Sequence, residues 1–133
     1  MKTLRQIKIH FIEQETLLKT DIQINELLGY ASALISDYSS IAVDYLVLDR
    51  PLAFTLDDVE CYGRERGFFW EDVQKWLPGM KIYDFADFMK FVKEVLAGGN
   101  PGQEKRHAIS EQMQKYRDDK NSARVLQALG IVS

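Results

Sequence analysis

The stretch from Ala33 to Leu48 constrains this chain most. Ala33-Leu34-Ile35-Ser36 is a short apolar run, and Asp37-Tyr38-Ser39-Ser40 is a cluster of small hydroxyl and acidic residues. Ile41-Ala42-Val43-Asp44-Tyr45-Leu46-Val47-Leu48 then follows with no spacer and is apolar on nearly every side. The pattern predicts a buried strand, a tight turn and a helix sandwiched between layers. Asp49-Arg50-Pro51 stops that helix, because the residue before a proline resists helical geometry. Leu52-Ala53-Phe54-Thr55 reads as the next strand. Strand, helix and strand at this spacing specify a parallel sheet with covering helices, so the chain reads as α/β.

Other segments fit that frame. Ile7 to Ile12 alternates before turning fully apolar and predicts a strand. Asn25 is placed to cap a short helix over 26–31. Lys81-Ile82-Tyr83 reads as an edge strand. Asp84 or Asp87 would cap the helix that follows, whose apolar stripe is Phe85, Phe88, Phe91, Val92, Val95 and Leu96. Gly98-Gly99-Asn100-Pro101-Gly102 ends it. A mostly polar helix is expected over 103–117, with Ile109, Met113 and Tyr116 on its thin apolar face. Asn121-Ser122 would cap a last helix over 123–129. Residues 56–79 lack clear periodicity and read as a long loop, of the kind that often carries function.

Composition narrows the class. At 133 residues and 46% hydrophobic content the chain is expected to form a single domain burying about two-thirds of its unfolded surface. The net charge of −3 speaks against a nucleic-acid surface, which usually leaves a basic excess. One cysteine, Cys61, leaves no internal disulfide and no zinc cluster, and it reads as a bland, partly buried residue. With no apolar run of membrane-spanning length and no signal-peptide core at the start, the default location is the cytoplasm.

The candidate chemistry lies on the turn. In an open parallel sheet, ligands bind beyond the carboxyl ends of the strands, beside helix starts. There the first N–H groups lack partners and the helix dipole favours anions. Asp37, Ser39 and Ser40 therefore read as a phosphate-binding loop, with the serine hydroxyls as extra donors. A plain helix cap with nothing bound accounts for them equally well. No glycine-rich phosphate motif is present. In Tyr62-Gly63-Arg64-Glu65-Arg66-Gly67-Phe68, Arg66 beside its glycine is suited to pair with phosphate oxygens, whereas Arg64 reads as a surface residue pairing Glu60 or Glu65. Arg124 follows a helix start, where a cation opposes the dipole, and is a weaker candidate. Asp57 and Asp58 suit turn or capping roles better than a metal. His10 and His107 read as structural.

Read together, these residues resemble one family. Leu27-Leu28, Ser32 and Leu34-Ile35-Ser36-Asp37-Tyr38-Ser39-Ser40 look like the hallmark block of the CDP-glycerol glycerophosphotransferases, the teichoic acid primase and polymerase family. Asp44-Tyr45, Leu48-Asp49-Arg50-Pro51, Asp58, Tyr62, Arg66-Gly67-Phe68 and Pro78-Gly79 follow at family-like spacing, and Asn121-Ser122 with Arg124-Val125 resembles the C-terminal signature. The likeness runs from Asn25 to Leu129. It implies a Rossmann-like three-layer domain with a short parallel sheet, similar to the C-terminal half of a GT-B glycosyltransferase. That half binds a CDP-polyol donor such as CDP-glycerol. The implied reaction moves a polyol phosphate to a cell-envelope polymer or glycan without a metal or other cofactor. Asp37, Ser39 and Ser40 would fall at the donor phosphates, with Arg66 and Arg124 as neighbours.

Lys8-Ile9-His10-Phe11 lacks the His-Pro pair of the family, so His10 is not equated with its histidine and no catalytic residue is assigned. The N-terminal acceptor domain is expected to be missing, which makes residues 1–133 a partial donor-nucleotide-binding domain with little turnover alone. A truncated, non-catalytic binding or assembly module is the alternative. The resemblance also leaves room for peripheral association of the full-length enzyme with the inner face of a membrane.

Overall fold

The computed structural model describes residue 6, residues 8–67 and residues 72–132. The chain divides into two compact units, residues 1–31 and 32–133. The described residues of the first include two short helices, α1 (Gln14–Thr20) and α2 (Ile24–Tyr30). α1 ends at Asp21 in the left-handed region, φ 55°, where the Asp21 N–H returns to the Leu17 carbonyl. α2 opens on a reciprocal cap between Gln23 and Glu26, not on Asn25.

The strand expected over 7–12 does not form. Ile7 lies outside the described residues, and residues 8–13 adopt no strand. Lys8 at φ 61° breaks the extended run, and Ile9, Phe11 and Ile12 are exposed. An alternating pattern becomes a strand only where a sheet edge supplies partners, and this segment finds none.

The second unit is built on a parallel three-stranded sheet in the order β1 (Leu34–Ser36), β2 (Leu52–Thr55), β3 (Met80–Ile82). The register pairs Ser36 with Phe54 and Phe54 with Lys81. Leu52, Ala53 and Phe54 on the central strand are buried, as an unbroken apolar run covered on both faces should be. The buried segment after the turn splits into α3 (Ile41–Tyr45) and a 3-10 turn (Leu46–Leu48) that closes on Asp49 in the left-handed region.

The stretch expected to be a loop holds two short helices, α4 (Val59–Glu65) and α5 (Val73–Trp76). Phe68, at the end of the motif singled out there, lies outside the described residues. Gly79 leads into β3 past the central strand. A Cβ on it would sit 2.3 Å from the Leu52 carbonyl oxygen, so only glycine fits.

α6 (Phe85–Leu96) packs the inner part of its expected apolar stripe, Phe88, Phe91 and Val95, against the core, while Phe85 and Leu96 at its two ends are exposed. Asp84 accepts from the Asp87 N–H at 2.9 Å while Asp87 accepts from the Tyr83 N–H at 3.1 Å, a mutual cap that fixes the first turn. Phe91 is buried against Ala53 and Ile82, with Ile35, Phe88 and Val95 around them. α7 (Gln103–Met113) ends four residues short of the expected Arg117. Gln114 leaves the helix and donates to the Val43 carbonyl at 2.7 Å, and Tyr116 is left exposed. α8 (Asn121–Ala128) follows Lys120, whose N–H is held by Asp118 at 3.0 Å. Among the described residues no helix is long and apolar enough to cross a membrane.

Candidate functional site

β1 ends at Ser36, whose carbonyl accepts from the Thr55 hydroxyl at 3.3 Å, so the strand end is tied to the central strand. The chain then turns. The Asp37 carboxylate accepts from the Ser39 N–H at 2.8 Å, which closes an aspartate turn and points Ser39 and Ser40 out of the sheet edge. Ser39 and Ser40 carbonyls accept from Ala42 and Val43, starting α3.

The two readings of this turn now separate. Ser40 occupies the cap position yet makes no side-chain bond to the helix. The Ser39 hydroxyl lies 3.5 Å from the Ile41 N–H, at the outer limit of a hydrogen bond. Capping therefore leaves both hydroxyls available to a ligand. The dipole argument is weaker than the sequence suggested, because α3 has only five residues before it tightens into the 3-10 turn.

Both serines line a cavity of about 310 Å³. Tyr38, Tyr62 and Trp76 contribute aromatic walls, Phe54 and Val43 come from the sheet and α3, and Met113 from the end of α7. The Tyr38 and Tyr62 rings lie 4.6 Å apart at 37°. The Tyr38 hydroxyl donates to Asp58 at 3.1 Å. Burial, then that bond and the nearby Asp58, Asp57 and Asp37 charges, push its pKa above the ordinary tyrosine value, so it stays a donor. The arrangement suits a flat ring against the aromatics and an anion against the serines.

The five residues singled out from sequence are not all brought together. Asp37, Ser39 and Ser40 share the turn. Arg66 caps α4 through its N–H to the Tyr62 carbonyl and is exposed; its neighbour Gly67 lines the cavity but Arg66 does not. Arg124 is engaged elsewhere: it ion-pairs with Asp118, donates to Asn121 and lies over the Tyr116 ring at 3.9 Å. Arg64 donates to the Glu60 carbonyl, close to the surface role expected of it. Cys61 is exposed, 3.5 Å from a Glu65 carboxylate oxygen, and not partly buried, because α4 turns that face to solvent. Among the described residues no three His, Cys, Asp or Glu side chains are grouped to hold a metal.

Sequence reasoning missed one buried cluster, centred on Arg106. Arg106 is fully buried and donates to the Asp49 carboxylate at 3.0 Å, Asn100 at 2.6 Å and the Pro101 carbonyl at 3.2 Å. His107 meets the other Asp49 oxygen at 2.6 Å. Burial raises the Asp49 pKa, but bonds from His107, Gln103 and Arg106 outweigh it and hold the carboxyl below the ordinary range. Asp49-Arg50-Pro51 gave a helix stop, but nothing near it in sequence pointed to a partner 57 residues on.

Curated proteins similar to the chain share one theme. It is 30% identical over 106 residues to the teichoic acid glycerol-phosphate transferase of Staphylococcus aureus (strain NCTC 8325 / PS 47), covering 80% of this chain and 27% of that protein. It is 33% identical over 76 residues to the teichoic acid glycerol-phosphate primase of Bacillus spizizenii (strain ATCC 23059 / NRRL B-14472 / W23), covering 57% and 20%. A teichoic acid poly(ribitol-phosphate) polymerase of the same strain is 36% identical over 72 residues, covering 54% and 12%. The chain thus spans about a quarter or less of these relatives. The pattern of the CDP-Glycerol:Poly(glycerophosphate) glycerophosphotransferase family matches residues 6–130, nearly the whole sequence, and the chain belongs to that family.

Proposed function

We propose that the chain is the donor-binding part of a glycerophosphotransferase, holding a CDP-polyol such as CDP-glycerol. The observation that carries this reading is the cavity at the carboxyl end of β1, where two serine hydroxyls not needed for capping face aromatic walls. The diphosphate lies against Ser39 and Ser40, and the cytosine ring against Tyr38, Tyr62 or Trp76. A volume of about 310 Å³ suits the head of a nucleotide, with the remainder extending into solvent or a second domain.

In the full-length enzyme the reaction follows from the donor's chemistry. An acceptor hydroxyl attacks the phosphorus that carries the polyol, the bridging P–O bond breaks, CMP leaves with the bridging oxygen, and the hydroxyl proton passes to the departing phosphate or to water. Negative charge builds on the departing phosphate, where the Ser39 and Ser40 donors stabilise it without a metal. Arg66 and Arg124 complete the proposed contacts; Arg124 reaches the donor only by leaving Asp118. The acceptor is a cell-envelope polymer or glycan, taken up by another domain, in the two-domain GT-B arrangement. The enzyme works in the cytoplasm at the inner face of the membrane. Family membership and the teichoic acid relatives support the transfer reaction and its CDP-polyol donor and polymer acceptor.

Titration of the isotope-labelled chain with CDP-glycerol tests the reading. Amides around Ser39 and Ser40 shift saturably, and Ser39→Ala with Ser40→Ala weakens binding, each lost bond to the anion costing about 1.5–3 kcal/mol. No shift near Ser40 at millimolar ligand, or unchanged affinity in the double variant, overturns it.

A further inference from the structure

Beside the cavity, three donors converge on one neutral residue. Gln74 sits on the single turn of α5, between Val73 and Trp76, which line the cavity. Its side-chain oxygen accepts from Lys81 Nζ at 3.4 Å and from the Tyr83 hydroxyl at 3.1 Å. Its backbone carbonyl accepts from Lys105 Nζ at 3.2 Å. Two half-buried lysines, from β3 and α7, thus reach the same residue through two different oxygens.

Neither lysine makes an ion pair among the described residues. The nearby Asp72 holds Lys75 at 2.9 Å instead. An ammonium carries three N–H donors, and each of these two has one on Gln74, so donors are left over. Burial, and then the charge of Lys81, draw the Lys105 ammonium below the ordinary lysine range, while Asp72 partly opposes the fall. Two cations held on two oxygens of one neutral residue are a poor final state by themselves. An anion between them would complete it.

We propose that Lys81, Lys105 and Tyr83 form a second anion site, for the oxyanion of a phosphate monoester or diester. The site stands independently of the nucleotide reading. Lys81 is in register with Phe54, and Phe54 with Ser36, so Lys81 shares the sheet face that Phe54 presents to the cavity. Two strand spacings, about 10 Å, separate its backbone from the end of β1. The oxyanion takes its hydrogen bonds from the two ammonium groups and the tyrosine hydroxyl, in place of or beside the Gln74 amide.

The test uses the full chain, isotope-labelled, titrated with inorganic phosphate against sodium chloride at matched ionic strength. Amides of Gln74, Lys81, Tyr83 and Lys105 shift saturably with phosphate. Lys81→Met with Lys105→Met, which keeps the apolar stems and removes both charges, weakens binding by at least about tenfold. The Ser39→Ala, Ser40→Ala variant keeps these shifts, which separates this site from the serine turn. Glycerol 3-phosphate and a glycerol phosphodiester then show whether monoester or diester is preferred. Shifts no larger with phosphate than with chloride, or a lysine double variant that binds like the parent, overturn the proposal.

Discussion

Replacing Asp49 with asparagine should destabilise the protein by about 2 kcal/mol, and the figure follows from the surroundings of Arg106. Arg106 is 0% exposed and charged, and Asp49 is the carboxylate it pairs with. Removing one member of a buried ion pair generally costs about 3–5 kcal/mol, because the remaining charge stays out of water. Two features reduce that here. The Asp49 side chain is 38% exposed, and Arg106 keeps neutral acceptors on Asn100, Pro101 and the Asp49 carbonyl.

Asparagine is the informative substitution, because Asp49 stands at φ 46° and asparagine tolerates that conformation while retaining one acceptor oxygen. Alanine adds about 1 kcal/mol of backbone cost, which glycine recovers. Denaturant titration with an unchanged slope reads the loss. Acid adds a second readout. The Asp49 pKa is depressed in the folded state, so its stabilisation is complete above the unfolded value near about 3.9 and disappears as pH falls through the folded value. The asparagine variant lacks that step. A loss below about 0.5 kcal/mol, with an acid limb like the parent's, refutes the claim that Asp49 neutralises Arg106.

Three further substitutions test the frame around the site. Gly79→Ala drives a Cβ to within 2.3 Å of the Leu52 carbonyl, so β2 and β3 must part; a loss of about 3 kcal/mol or failure to fold is expected in thermal denaturation. Asp84→Ala removes the acceptor of the Asp87 N–H and should cost about 1 kcal/mol by the same measurement. Phe91→Ala empties the centre of the core against Ala53 and Ile82 and should cost about 3–5 kcal/mol in denaturant titration.

What could be read in advance was local. The central strand, the helix stop at Pro51 just before it, and the cap and inner stripe of α6 each depend on neighbours within a few residues, so composition and period revealed them. Residues 7–12 had a strand's alternation, but among the described residues 8–12 no ladder forms and Lys8 leaves the extended region at φ 61°; alternation alone forms no ladder. The aperiodic stretch hid α4 and α5 because helices of seven and four residues are too short to display a 3.6-residue period. Arg106 was invisible for the opposite reason. It lies in a polar helix, where a charged residue reads as solvated, and only a carboxylate 57 positions earlier brings it inside.

The candidate site was legible in place but not in mechanism. The sequence located the turn because a strand running straight into an apolar segment puts the intervening residues at the sheet's carboxyl edge. It credited the helical segment 41–48 with the attraction for an anion, and only Ile41–Tyr45 is α-helical, with a dipole that can supply little. What replaces the dipole is economy of hydrogen bonding. Asp37 fixes the Ser39 amide, the α3 turns are closed by the Ser39 and Ser40 carbonyls, and so the serine side chains carry no structural duty beyond a long contact to Ile41. A hydroxyl with no partner to lose accepts a ligand at little cost, whereas a capping hydroxyl must first be released. In the proposed site the aspartate before the serines therefore matters as much as the serines, because its carboxylate holds the Ser39 N–H. Its role is to keep their side chains disengaged.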